Sequence, residues 1–73
     1  MRLNERLKKL RSARGLSLRA LSEMTGIDIK NLSQIESGKN SPTLNTTEKI
    51  CKALGVRIII IDEQNNTKNA DIQ

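Results

Sequence analysis

Two places in the chain have residue types that could do chemistry, and the rest of the sequence denies both of them their partners. Cys51 is a lone cysteine in a chain without histidine, so neither a Ser-His or Cys-His nucleophile nor a zinc site of the usual ligand number can be assembled. Lying on the apolar side of a helical pattern, it reads as a small buried hydrophobe. Gly38-Lys39 has the ending of a phosphate-binding loop, but the upstream glycine, the following Ser or Thr and the preceding strand are missing. No enzyme activity, metal or cofactor is expected. The chemistry that remains is non-covalent contact with a charged partner. The net charge is +5, and 12 of the 13 basic residues but only five of the eight acidic ones fall in Met1 to Arg57. A compact domain of that sign is drawn to polyanions, duplex DNA foremost. Without Phe, Tyr or Trp there is no platform for stacking on single strands.

The elements that would position such contacts are helical. Leu3, Leu7 and Leu10 recur with the period of an amphipathic helix, charged residues lie between them, and the helix ends near Gly15. Ser17 suits the N-cap of a second helix of about seven residues, with Leu18, Leu21 and Met24 inward and Gly26 closing it. Asp28 can cap a third, in which Leu32 and Ile35 face the core until Gly38 stops it. Thr43 can cap a fourth, with Leu44, Thr47, Ile50, Cys51 and Leu54 on one face and Gly55 at its end. Thr47 is the weak point of that face, where a larger apolar residue would fill better.

Val56 to Ile61 changes character, because β-branched residues dominate and caps are absent, and it reads as a strand. Asp62 to Gln73 is polar and charged and is expected to be a solvated, disordered tail. The chain therefore divides into a helical domain at 1–55, a strand at 56–61 and a tail at 62–73. At 73 residues it is one small domain, in a size range where a chain of about 60 residues hides only about 60% of its unfolded surface. Help from a second subunit is in keeping with that. The longest apolar run, Ile58 to Ile61, falls far short of the roughly 20 residues that span a bilayer. With one cysteine and no basic-then-apolar N-terminus, a cytoplasmic location and no membrane contact are expected.

The densest pattern is LRALSEMTGIDIKNLSQIESGK, Leu18 to Lys39. Ser22 is small where two helices must cross closely, Gly26 makes the sharp turn, Ile27 can plug the angle, and Leu32 and Ile35 anchor the second helix from inside. Five positions agree with a helix-turn-helix, although any helical hairpin shares the glycine and the leucines. The flanks are more specific. Lys-Lys-Leu-Arg-Ser-Ala-Arg-Gly at 8–15, Leu-Ser at 16–17, Ile-Glu-Ser-Gly-Lys at 35–39, Ser-Pro-Thr-Leu at 41–44 and Lys-Ala-Leu-Gly-Val at 52–56 together resemble the lambda-repressor-like, Cro/C1-type (XRE) helix-turn-helix family over about residues 5–57.

That resemblance implies an all-α fold, a compact bundle of four or five helices that docks its third helix, here Asp28 to Ser37, in the DNA major groove. Its groove-facing residues would be Ile29, Lys30, Asn31, Ser33 and Gln34. Lys30 would donate to guanine, Gln34 or Asn31 would pair with adenine, and Ile29 would pack on a thymine methyl. Asp28 is left to cap its helix. Phosphates would be held by Ser17, Arg19, Lys39, Asn40 and Thr43, helped by backbone N–H groups at the helix starts; Arg14 is a weaker candidate. Leu18 departs from a Gln common in the family and removes one phosphate contact. Arg11 and Glu36 match family positions that pair across helices 1 and 3 and would set the angle of the reading helix.

The strand residues Val56, Ile58, Ile59, Ile60 and Ile61 have no partner strand in the chain, which invites pairing with a second copy across a twofold axis. The alternatives are an arm packed on its own bundle and a strand ordered by another protein. A homodimer would space two reading helices roughly 34 Å apart and select a palindromic operator. A single helix-turn-helix domain followed by a short strand and a polar tail also resembles the HipB-type antitoxins of type II toxin-antitoxin modules. That likeness implies a repressor of its own operon with a kinase-fold toxin as partner. The alternative is a stand-alone phage-type repressor or a restriction-modification controller, and the Ile58 to Ile61 run favours the antitoxin.

Overall fold

The computed structural model describes residues 2–59. They form four helices, α1 (Leu3–Ala13), α2 (Leu18–Thr25), α3 (Ile29–Ser37) and α4 (Leu44–Leu54). Three of the four starts are made by the residues expected to cap them. Ser17 Oγ accepts from the Ala20 N–H at 3.0 Å, Asp28 Oδ2 from the Lys30 N–H at 3.0 Å, and Thr43 Oγ1 from the Thr46 N–H at 3.1 Å. Each satisfies an N–H that the helix itself leaves without a partner. The start of α1 is different, with the Arg2 N–H donating to Glu5 Oε1 at 3.3 Å.

The core is aliphatic and draws on every helix: Leu7 from α1, Leu21 from α2, Leu32 and Ile35 from α3, and Ile50, Cys51 and Leu54 from α4. Leu10, Leu16, Leu18 and Ile27 pack around it. Helix α3 lies against both α1 and α2, and α4 closes the other side against the same two helices. The inner face of α3 is therefore held by two neighbours while its outer face is left to solvent.

Three apolar residues assigned to inner faces are exposed instead: Leu3, Met24 and Leu44. Leu3 and Leu44 are the first residues of their helices, whereas Met24 is rotated off the face of α2 that carries Leu18, Leu21 and Thr25, each at least half-buried. Thr47 is filled in a way that volume alone did not suggest. It is only 5% exposed, and its hydroxyl donates to the Thr43 carbonyl one turn earlier at 2.9 Å, so burial leaves no unpaired donor.

Gly26 closes α2 with φ +77°, and a Cβ built there would meet nothing within 4 Å. Its role is backbone conformation rather than space. Gly26→Ala is expected to destabilise the fold by about 1–2 kcal/mol, the cost of a left-handed non-glycine residue, and Gly26→Asn by less, as read by urea unfolding. A loss several times larger would show that the turn is sterically tight after all.

Beyond α4 the chain departs from the strand expected at 56–61. Residues 56–59 carry no strand pairing in the single chain. Val56 and Ile58 are half-buried against the core, the Val56 N–H donates to the Cys51 carbonyl at 2.9 Å, and Arg57 and Ile59 point to solvent. For these four residues the arm lies on its own bundle, because alternate side chains find apolar surface there. Ile60, Ile61 and the tail at 62–73 lie outside the described residues.

Candidate nucleic-acid interface

The helix that would read DNA is clamped from behind by an ion pair. Arg11 Nε donates to Glu36 Oε2 at 2.7 Å and Nη2 to Oε1 at 3.0 Å, a two-bond fork, while Nη1 donates to the Leu16 carbonyl at 2.7 Å. The two side chains are 13% and 7% exposed. The bond to Glu36 raises the guanidinium pKa further above its ordinary value, against the opposing effect of burial. Planar guanidinium and planar carboxylate match in this geometry, so the pair constrains orientation as well as distance.

A second contact on the same helix face was not foreseen. Asn4 Nδ2 donates to the Glu36 carbonyl at 3.2 Å, near the end of α3, where the last carbonyls have no partner within the helix. The signal was present: Asn4, Leu7 and Arg11 are spaced at i, i+3 and i+7, so a carboxamide shares the face of α1 that holds Leu7 and Arg11. The turn between α2 and α3 is also tied by side chains. Ser22 Oγ donates to the Ile27 carbonyl at 2.6 Å, and Thr25 Oγ1 accepts from the Ile27 N–H at 3.2 Å while donating to the Leu21 carbonyl at 2.8 Å. Ser22 thus contributes a bond as well as small size.

On the open side of α3, Ile29, Lys30 and Ser33 are exposed, and Asn31 and Gln34 are half-buried toward the loop that leads to α4. Asn40 meets the last two: its Nδ2 donates to Asn31 Oδ1 at 3.0 Å and to Gln34 Oε1 at 3.2 Å. The backbone N–H groups of Lys39 and Asn40 both donate to the Gln34 carbonyl, at 2.9 and 3.1 Å. Asn40, expected from the sequence among the phosphate-binding residues, is thus hydrogen-bonded to two side chains of α3.

The other flanking residues are exposed. Ser17 and Arg19 stand at the start of α2, Lys39 follows α3, and Thr43 begins α4. Thr43 Oγ1 accepts from the Thr46 N–H and donates to Thr46 Oγ1, both at 3.1 Å. Asn31, Asn40, Thr43 and Thr46 line one shallow depression between α3 and α4. Among the described residues no hydrogen bond joins Ser17 or Arg19 to this group. No three of the described His, Cys, Asp and Glu residues are grouped to hold a metal ion, and no described helix is long and apolar enough to cross a membrane.

Comparison with known proteins agrees with this geometry. A family profile described as a helix-turn-helix domain matches residues 4–58, from the first turn of α1 to the arm. The chain belongs to the helix-turn-helix domain family. Relatives of the domain include the HTH-type transcriptional regulator SutR of Escherichia coli strain K12, 46% identical over 54 residues, which cover 74% of this chain and 30% of that protein. The HTH-type transcriptional regulator DdrOP3 of Deinococcus deserti is 34% identical over 58 residues, 80% of this chain and 45% of its own length. A crystal structure of an HTH_3 family transcriptional regulator from Vibrio cholerae superposes with a TM-score of 0.72 at 44% identity, covering 75% of this chain and 31% of that one. The helix-turn-helix domain thus spans less than half the length of each of these relatives.

Proposed function

We propose that this helix-turn-helix domain is a sequence-specific, double-stranded DNA-binding transcriptional repressor acting in the cytoplasm, with α3 as its reading helix. The observation that carries the reading is the treatment of α3: an ion pair and two buried aliphatic residues hold it from inside, and Ile29, Lys30, Asn31, Ser33 and Gln34 are left on its open side. Lys30 donates to guanine N7 and O6, a contact that supplies roughly 1–3 kcal/mol of discrimination when well made, Gln34 and Asn31 face base edges with their carboxamides, and Ile29 covers a thymine methyl. Arg19 and Lys39 neutralise phosphates, and Ser17 and Thr43 bind them with the free N–H groups at the starts of α2 and α4.

The test is binding to duplexes selected from a random library, measured over a range of salt. Log affinity is expected to fall linearly with log salt, with a slope of about −0.9 per neutralised phosphate, and Arg19→Gln is expected to make the slope shallower by that amount for each protomer bound. A flat dependence would count against the docking.

The proposal extends to a homodimer on a palindromic operator: Ile59 is 75% exposed and leaves apolar surface of the arm open to a second copy. The same arm supports the narrower reading of a HipB-type antitoxin that represses its own operon and binds a kinase-fold toxin. A second reading, a stand-alone phage-type repressor or restriction-modification controller, is favoured by another relative, the SPbeta prophage-derived regulator YonR of Bacillus subtilis, 38% identical over 52 residues. Co-purification from native cells separates them. A kinase-like protein travelling with the chain supports the antitoxin, and DNA alone supports the repressor without a toxin.

A further inference from the structure

We propose that Asn40 is a positioning and specificity-determining residue: it sets which end of the Asn31 and Gln34 carboxamides meets the DNA and binds no phosphate itself. The inference rests on the reading of α3 as the DNA-contacting helix and deepens it.

A carboxamide has one accepting end and one donating end, and a side-chain NH2 has two N–H donors. Both donors of Asn40 are spent, one on Asn31 Oδ1 and one on Gln34 Oε1. Its backbone N–H is spent on the Gln34 carbonyl. What Asn40 still offers is an oxygen, which a phosphate repels, so the side chain has nothing to give to the DNA backbone. Its effect falls on its neighbours. With their oxygens held toward Asn40, Asn31 and Gln34 keep their NH2 groups for the groove, which favours bases that present acceptors there: guanine N7 and O6, adenine N7 and thymine O4. Without Asn40, either amide can turn over and exchange donor for acceptor.

Two substitutions at this exposed position separate the effects, and neither alters the backbone bond to Gln34. Asn40→Ala removes the hold. Asn40→Asp keeps the size but replaces the donors with acceptors, so the NH2 groups of Asn31 and Gln34 turn inward and their oxygens turn out, toward cytosine N4 and adenine N6. The full chain and both variants are used to select duplexes from a random library, and competing sequences are titrated at several salt concentrations, with circular dichroism confirming the fold. Asn40→Ala is expected to lower discrimination by about tenfold at the positions read by Asn31 and Gln34, with an unchanged salt slope. Asn40→Asp is expected to move the preference at those positions toward bases with donors, on top of a uniform loss from its added charge. In an Asn31→Ala, Gln34→Ala background the Asn40→Ala effect should vanish.

Equal weakening of all sequences by Asn40→Ala would make Asn40 a phosphate ligand, and unchanged preferences would make it a bystander. Either result overturns the proposal while leaving DNA reading intact. A wild-type chain that selects no sequence overturns the reading of α3 and this proposal together.

Discussion

Arg11→Ala is expected to lower the unfolding free energy by about 3 kcal/mol or more, because it leaves the Glu36 carboxylate buried without its partner. The side chain of Glu36 is only 7% exposed, so water cannot replace the two bonds that Arg11 made. Arg11 also donates to the Leu16 carbonyl, and that bond, which ties the α1–α2 connection, is lost at the same time. A domain of this size has only several kcal/mol of net stability, so the loss removes a large share of it. Urea unfolding followed by circular dichroism reads the change. Replacing both residues, Arg11→Met with Glu36→Leu, is expected to recover most of the loss, since an apolar pair of similar volume carries no desolvation cost. If Arg11→Ala costs less than about 0.5 kcal/mol, the pair behaves as a solvated surface bridge and cannot be what holds α3 in place. If the double variant recovers stability yet binds DNA poorly, the pair orients α3 beyond what packing alone achieves.

If the chain acts as the proposed homodimer, Ile59→Pro is expected to yield monomers and to reduce affinity for a palindromic duplex by about a hundredfold or more, the loss of linking two half-site contacts into one event. Proline has no N–H for a strand pair and is confined to sheet edges and bulges, whereas at 75% exposure Ile59 has little core packing to lose. Folding should therefore be unaffected, and the salt slope of DNA binding should fall to about half as the number of phosphates contacted is halved. Analytical ultracentrifugation provides the direct measurement. A variant that sediments as the wild type does would exclude an intersubunit ribbon through this segment and leave the arm as packing on its own bundle, the arrangement seen for Val56 and Ile58.

How far these expectations could be read before folding differs from residue to residue. The caps at Ser17, Asp28 and Thr43 and the stop at Gly26 were legible because each involves a bond or a dihedral angle within a few residues, and near neighbours decide it. The inner residues Leu7, Leu21, Leu32, Ile35, Ile50 and Leu54 were legible because period 3.6 gives each residue its angle around the helix. Leu3 and Leu44 show the limit of that signal. Periodicity gives direction but not depth, and depth depends on where the neighbouring helix ends. The contact between Asn4 and the Glu36 carbonyl joins residues 32 apart in the chain, and the Arg11–Glu36 pair joins residues 25 apart. The ion pair was anticipated through family resemblance, whereas spacing along the chain could not have supplied it.

From its sequence alone this protein has its four helix positions, the sharp turn at Gly26, a basic balance over Met1 to Arg57, and an inventory without histidine. These follow from local dihedral preferences, hydrophobic period and residue inventory. Tertiary structure decided which polar groups are already spent and which remain to meet a partner. Asn40 shows the difference most clearly. As a residue type in a loop beside Lys39 it suited a phosphate, yet the fold brings it within 3.0 and 3.2 Å of two carboxamide oxygens on α3. The two ends of a carboxamide are chemically opposite, and only the position of a neighbour in space determines which of them faces out.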